Sequence, residues 1–162
     1  MLSLRLGKEA QKFDLKQISD QDMKRKLESL SQIGTSILEE EDLDQYNLIT
    51  SKMEKIYSTS KVPEYKNPSK LVSLEPEMTL RMAQSRDPQE LEHYWTQHRA
   101  HTGQKIREMY KEYVKLTNKA AKMNGFKDAT QMKTYAYESD TFVQEMHQTW
   151  QGLKVHLINC VA

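Results

Sequence analysis

Cysteine occurs once in this 162-residue chain, glycine five times and proline four times, and no apolar run approaches the length of a bilayer span. Each scarcity excludes something. A single cysteine, Cys160, rules out an intrachain disulfide, and its apolar setting reads as a small buried side chain rather than a nucleophile. The opening "MLSLRLGKEAQKFD" is too short and too interrupted for a signal peptide's apolar region. Taken literally, that places the chain in the cytoplasm. The formal charge is only +1 with both signs interspersed, so the electrostatic footprint of a nucleic-acid binder is missing. A Gly-rich phosphate loop, a Gly-x-Ser-x-Gly elbow and a Cys-x-x-Cys pair are all absent. No stretch alternates with period two for long enough to predict a strand. The acidic "EEEDLDQ" lacks the central glycine and alternating oxygen ligands of a calcium loop and reads as a solvated helix start.

What is present is amphipathic helix. With 37% hydrophobic and 29% charged residues and a mean hydropathy of −0.83, each helix can carry only a narrow apolar stripe, which leaves room for a partner surface. In "SDQDMKRKLESLSQIGTSIL" Ser19 and Asp22 form a candidate capping box, and Met23, Leu27, Leu30, Ile33 and Ile37 recur at helical spacing. The run Glu39 to Asp42 suits the N-terminus of a second helix, with Leu43, Tyr46, Ile49, Met53 and Ile56 as its stripe. The short connection predicts that these two pack as an antiparallel hairpin.

Between Ser58 and Leu74 the periodicity lapses and Pro63 and Pro68 appear, which predicts a loop. Pro76 then opens a short helix to Gln84, and Asp87-Pro88 caps and starts another that runs to about His101, with Gly103 as its stop. A long helix with Ile106, Met109, Tyr113, Leu116 and Ala120 buried ends at Asn124-Gly125. Asp128 caps a short helix, and Ser139 or Asp140 caps a last one carrying Phe142, Met146, Trp150 and Leu153. The fold class is therefore all-α, with residues 1–162 read as one helical region without an internal domain boundary.

The segment "EHYWTQHRAH" concentrates three of the five histidines. Helical zinc ligands stand at i and i+4, on nearly one face. Here the spacings are five and three, so His93 and His98 lie about 140° apart on a helix and the three cannot converge on one ion from it. No metal ligand is assigned.

Five ordered blocks, "GKEAQKFD", "YNLITSKMEKIYSTSKV", "LEPEMTLRMAQSRDPQEL", "YKEYVKLTNKAAKMNGFKDA" and "YESDTF", resemble the angiotensin-converting enzyme family of zinc peptidyl-dipeptidases, and its arthropod members most. The resemblance runs from about Gly7 to about Leu153. It implies a mostly helical, two-lobed metallopeptidase with a deep groove, in which a His-Glu-x-x-His motif and a downstream glutamate hold zinc and the motif's glutamate activates water to release C-terminal dipeptides. None of the five histidines here, at 93, 98, 101, 147 and 156, has a partner four residues away. The chain thus reads as the N-terminal portion of such an enzyme, supplying groove walls and inactive alone. Zinc and chloride belong to the complete enzyme, and neither is expected on this chain by itself. The partners implied are a peptide substrate and the C-terminal part of the peptidase domain, with no nucleic acid. Family members are commonly secreted or anchored at the cell surface.

Two positions carry over. Glu75, in "LEPEM", matches a groove glutamate that can meet a basic substrate side chain, and no catalytic residue is assigned. Arg99 matches the arginine of a Trp-Arg pair that contributes to a buried chloride site, a task suited to a permanently charged guanidinium with several fixed donors. There are departures. His98 stands where the family has tryptophan, and Pro63 and roughly Leu71 stand where a family disulfide is expected. The sequence also drifts from the pattern after Leu153. These departures motivate a second reading, a non-catalytic helical peptide-binding or decoy module derived from the family. The two readings differ on Met146, Trp150 and Leu153, which a portion of a larger core exposes and a self-sufficient module buries.

Overall fold

The computed structural model describes residues 2–161, with side chains described for 2–154. Cys160, expected to be buried, lies outside the described side chains. The chain is all-α apart from one small hairpin. Its helices are α1 (Leu2–Ala10), α2 (Gln21–Ser31), α3 (Glu40–Thr59), α4 (Thr79–Gln84), α5 (Pro88–His101), α6 (Gly103–Met123), α7 (Ala129–Thr134) and α8 (Phe142–Val161). No helix among the described residues is long and apolar enough to cross a membrane. Contacts group the chain into two compact units: unit 2 spans Leu38–Thr117, and unit 1 takes the segment up to Ile37 with everything from Asn118 onward. The expected α2–α3 hairpin organises neither unit, because the two helices fall on different sides of this division.

In unit 2, α3 opens with Glu40, Glu41 and Asp42 in its first turn, where carboxylates complement the helix dipole. Leu43, Tyr46, Met53 and Ile56 are half-buried and Ile49 is buried, so the predicted stripe is the inward face. The segment expected to be a loop contains β1 (Lys61–Pro63) and β2 (Leu71–Ser73), paired antiparallel with Lys61 opposite Ser73, Val62 opposite Val72 and Pro63 opposite Leu71. Each strand has three residues and one inward valine, too little for alternation to be visible in sequence. Val62, Val72 and Tyr94 are fully buried and Leu74 and Met78 nearly so, and Tyr65 and Met82 pack around them. Each such fully buried apolar side chain contributes about 1.5–3 kcal/mol. Tyr94 hides its hydroxyl at no loss, because the Tyr65 backbone N–H donates to it at 3.3 Å.

The start of α5 is as predicted, with the Asp87 carboxylate accepting from the Gln89 N–H at 3.0 Å and Pro88 in the first turn. Its end differs. The break falls at Thr102 (φ −119°, ψ −80°), whose hydroxyl donates back to the His98 carbonyl at 2.6 Å, and Gly103 opens α6 instead of stopping α5. Of the five glycines only Gly34 and Gly125 adopt positive φ. At Gly125 (φ +86°) the expected termination of α6 occurs, with the Phe126 N–H donating to the Ala121 carbonyl at 2.9 Å. Along α6, Leu116 and Ala120 are buried while Ile106, Met109 and Tyr113 are only half-buried.

In unit 1, α2 is capped by Asp20 rather than Ser19. The Asp20 carboxylate accepts from Asp22 and Met23 N–H at 2.9 and 3.0 Å, the stronger acceptor taking both orphan donors. The helix also ends six residues earlier than expected, at Ser31, because Gly34 turns the chain in the left-handed region (φ +66°) before a short turn over Gly34–Ile37. Of the predicted stripe only Ile33 is buried, and Met23 and Leu30 are about half exposed. The helix α1, for which the sequence offered no signal, packs on α2. Gly7 admits this close approach: a Cβ there would stand 2.5 Å from Ile33 Cγ1. The turn is held by Asn124, whose Oδ1 accepts from the Ile33 and Gly34 N–H groups at 3.0 and 3.2 Å while its Nδ2 donates to the Gly34 carbonyl at 2.9 Å. Asp128 caps α7 as predicted, accepting from the Gln131 N–H at 2.9 Å. The last helix starts at Phe142, after Ser139 and Asp140, with the Ser139 and Thr141 hydroxyls both donating to Glu145 Oε1. Every residue of α8 from Val143 to Lys154 is exposed.

Candidate functional site

The joint between β2 and α4 carries Glu75. Leu74 before it and Met78 after it are buried in the unit 2 core, and the Thr79 hydroxyl donates to the Leu74 carbonyl at 3.1 Å. Between these anchors the backbone at Glu75 is extended (φ −128°, ψ 137°), out of the helical conformation. Glu75 is exposed, and no hydrogen bond or ion pair to another described residue engages its carboxylate.

Two charged groups fix this joint. Glu77 accepts from both the backbone N–H and the hydroxyl of Ser73, each at 2.8 Å. Those bonds, the backbone one first, hold its carboxyl below the usual carboxylate range. Glu64, its side chain only 16% exposed, pairs with Arg81 and also accepts from Lys70 at 3.4 Å. The hairpin is thereby tied to α4 by side-chain bonds as well as by its core.

Histidines 93, 98 and 101 lie on α5 and make separate contacts. The His93 Nε2–H donates to the Pro63 carbonyl at 2.9 Å, and its ring packs against Tyr65 and edge-on to Tyr94. His98 meets the Tyr57 ring edge-on, and the His101 Nδ1–H donates to the Gln97 carbonyl at 2.9 Å. Among the described residues, no three His, Cys, Asp or Glu side chains are grouped to hold a metal ion. With spacings of five and three along α5, the three rings do not converge on one ion, as zinc would require.

Arg99 is exposed on α5 and stacks on Trp95, one turn earlier, with its guanidinium carbon 3.2 Å from the ring centre. Its Nη1–H donates to the Trp95 carbonyl at 3.0 Å. At an exposed site such a cation–π contact contributes about 0.5–1 kcal/mol. The sequence pattern directed attention to position 98 and missed this pair, although the i, i+4 spacing of Trp95 and Arg99 was its signal. Glu75 and Arg99 are not brought into contact with one another.

The family model described as angiotensin-converting enzyme matches residues 1–156. The chain belongs to the angiotensin-converting enzyme family. It is 35% identical over 150 residues to the angiotensin-converting enzyme of Haematobia irritans exigua, covering 92% of this chain and 24% of that protein. It is 36% identical to the mouse angiotensin-converting enzyme-like protein Ace3, covering 93% of this chain and 20% of the relative. Against mouse angiotensin-converting enzyme it is 33% identical over 97% of this chain and 12% of that one. The chain thus spans about a quarter or less of the length of these curated relatives.

Pro63 and Leu71, near which the resemblance led a disulfide to be expected, are direct cross-strand partners. The hairpin is held by the valine pair beside them and by Glu64 with Arg81 and Lys70.

Proposed function

We propose that this chain forms part of a zinc peptidyl-dipeptidase of the angiotensin-converting enzyme family, where it supplies groove wall while zinc and its ligands lie outside these residues. The observation that carries the reading is Glu75: an unengaged carboxylate on an extended residue, held between two buried neighbours at the end of a hairpin. A carboxylate so placed offers only acceptors and is suited to a basic side chain of a bound peptide. Arg99 is the proposed chloride contact. Its stack on Trp95 fixes the guanidinium and leaves its other N–H groups for an anion. Cleavage of dipeptides from peptide C-termini would require the metal to activate water, and the chain alone is expected to release none.

The test is immunoprecipitation from source tissue with an antibody to the peptide Tyr46–Val62, followed by sizing and assay. The reading expects a band several times larger than 19.0 kDa and chelator-sensitive release of dipeptides. A band at 19.0 kDa with no hydrolysis would overturn it in favour of a binding module.

A further inference from the structure

Of the five asparagines in the chain, only Asn124 is followed by glycine. The backbone nitrogen after an asparagine can attack the side-chain Cγ and close a five-membered ring, and glycine leaves that nitrogen unshielded because it has no Cβ. Here the glycine is required on other grounds, since Gly125 takes φ +86° where α6 ends. The helix stop and the susceptible pair are therefore one feature.

The fold holds this pair out of reaction. Asn124 Oδ1 accepts from the Ile33 and Gly34 N–H groups at 3.0 and 3.2 Å, and Nδ2 donates to the Gly34 and Ala120 carbonyls at 2.9 and 2.7 Å. The oxygen and both amide hydrogens are thus engaged. The attacking nitrogen is engaged too, because the Gly125 N–H donates to the Lys122 carbonyl at 3.0 Å. For the ring to form, the side chain must leave the Gly34 turn and the N–H must leave Lys122, so local opening comes first. Asn124 is half-buried and Gly125 exposed, which lets water reach the pair once it opens.

We propose that Asn124-Gly125 is a deamidation site gated by release of this anchor, and that the reaction makes the release permanent. The Gly125 nitrogen loses its proton and bonds to Asn124 Cγ; the Cγ–Nδ2 bond breaks and the nitrogen departs with that proton as ammonia. Water then opens the cyclic imide at either carbonyl, giving an aspartyl or an isoaspartyl residue with no change of oxidation state. Neither product restores the anchor. An ionised carboxylate has acceptors only, so the oxygen replacing Nδ2 would face the Gly34 and Ala120 carbonyls with no hydrogen to share. The isoaspartyl product also inserts a methylene into the backbone at the helix stop, where the Phe126 N–H donates to the Ala121 carbonyl. A transient opening of the segment through Ile37 becomes a lasting one. The inference does not depend on the peptidase reading.

The first experiment ages the 162-residue chain in mildly alkaline buffer, folded and in guanidinium chloride, and follows the tryptic peptide 123–127 by mass spectrometry for exchange of ammonia for water. The folded chain is expected to react at least tenfold more slowly. Gly125→Ala, compared in guanidinium chloride where the φ of the folded state has no bearing, should slow the reaction at least tenfold and so identify the attacking nitrogen. Equal rates for the folded and unfolded wild-type chain, or faster reaction at another asparagine of the unfolded chain, overturn the proposal.

The second experiment measures hydrogen exchange in Asn124→Asp. The Ile33 and Gly34 N–H groups should exchange at least tenfold faster than in the wild-type chain, while the Tyr65 N–H of unit 2, bonded to Tyr94, should be unaltered. Unchanged exchange at Ile33 and Gly34 overturns the permanence of the release. Acceleration that extends to Tyr65 overturns its confinement to the early segment.

Discussion

In unit 2 the large apolar side chains converge, with Val62, Val72, Leu74, Met78 and Tyr94 closed around a hairpin of three-residue strands. In unit 1 a twenty-residue helix keeps Val143, Met146, Trp150 and Leu153 about half exposed. Both regions have apolar residues in regular patterns, and only one of them supplies the matching surface. A stripe specifies which face is to be buried and leaves open what buries it. The distinction decides where mutations should hurt.

The largest contrast is between two aromatic truncations. Tyr94→Ala should cost about 3–5 kcal/mol in urea denaturation, because it empties a fully enclosed site and strands the Tyr65 N–H. Trp150→Ala should cost no more than about 0.5 kcal/mol in the isolated chain, since the ring is half exposed. Comparable costs for the two would break the comparison. Within unit 1, Gly7→Ala should destabilise by about 2–3 kcal/mol, toward the upper end for overpacking: the new methyl would meet Ile33 Cγ1 at 2.5 Å with the Leu30 carbonyl behind it. A thermal scan showing no change would mean that α1 does not pack there.

Pro63→Cys with Leu71→Cys joins residues already opposite each other in the ladder, so under oxidising conditions it should form a disulfide. Closing so short a loop should raise stability by about 2 kcal/mol, reversed by reductant, and non-reducing gel mobility checks the bond. The smallest effect concerns acid. Ser73 holds the Glu77 carboxyl below its ordinary range, so its contribution is present above the unfolded-state value and is lost as pH falls through the lower folded value. Glu77→Gln should therefore flatten part of the stability decline below about pH 4 while changing little near neutrality, as acid titration of the far-ultraviolet signal would register.

The elements legible in sequence were those with local chemistry. Asp87-Pro88 before α5, Asp128 before α7 and Gly125 after α6 each satisfy their own backbone within a few residues, and the acidic first turn of α3 complements its own helix dipole. What escaped depended on distant partners. Strands of three residues exist because Val62 and Val72 meet a core containing Tyr94, and α1 forms a contact that only a glycine permits. Gly34 and Gly103 look alike in sequence, yet the first breaks a helix and the second begins one, since only the first takes positive φ. At the candidate site, Glu75 and Arg99 could be named from motif alone. The freedom of the first carboxylate and the stacking of the second on Trp95 could not, because both depend on how the backbone turns.

Asn124 grips residues ninety positions earlier, and this has a consequence for birth order. A ribosome releases the chain from its N-terminus, so the segment through Ile37 emerges long before its clasp exists. All of unit 2 is synthesised in the interval and can fold first as a continuous piece. The early segment must wait with the Ile33 and Gly34 N–H groups unclasped, and its capture by Asn124 then closes a loop already shortened by the folded insert. A chaperone that binds nascent apolar segments would find this one available for most of the chain's synthesis.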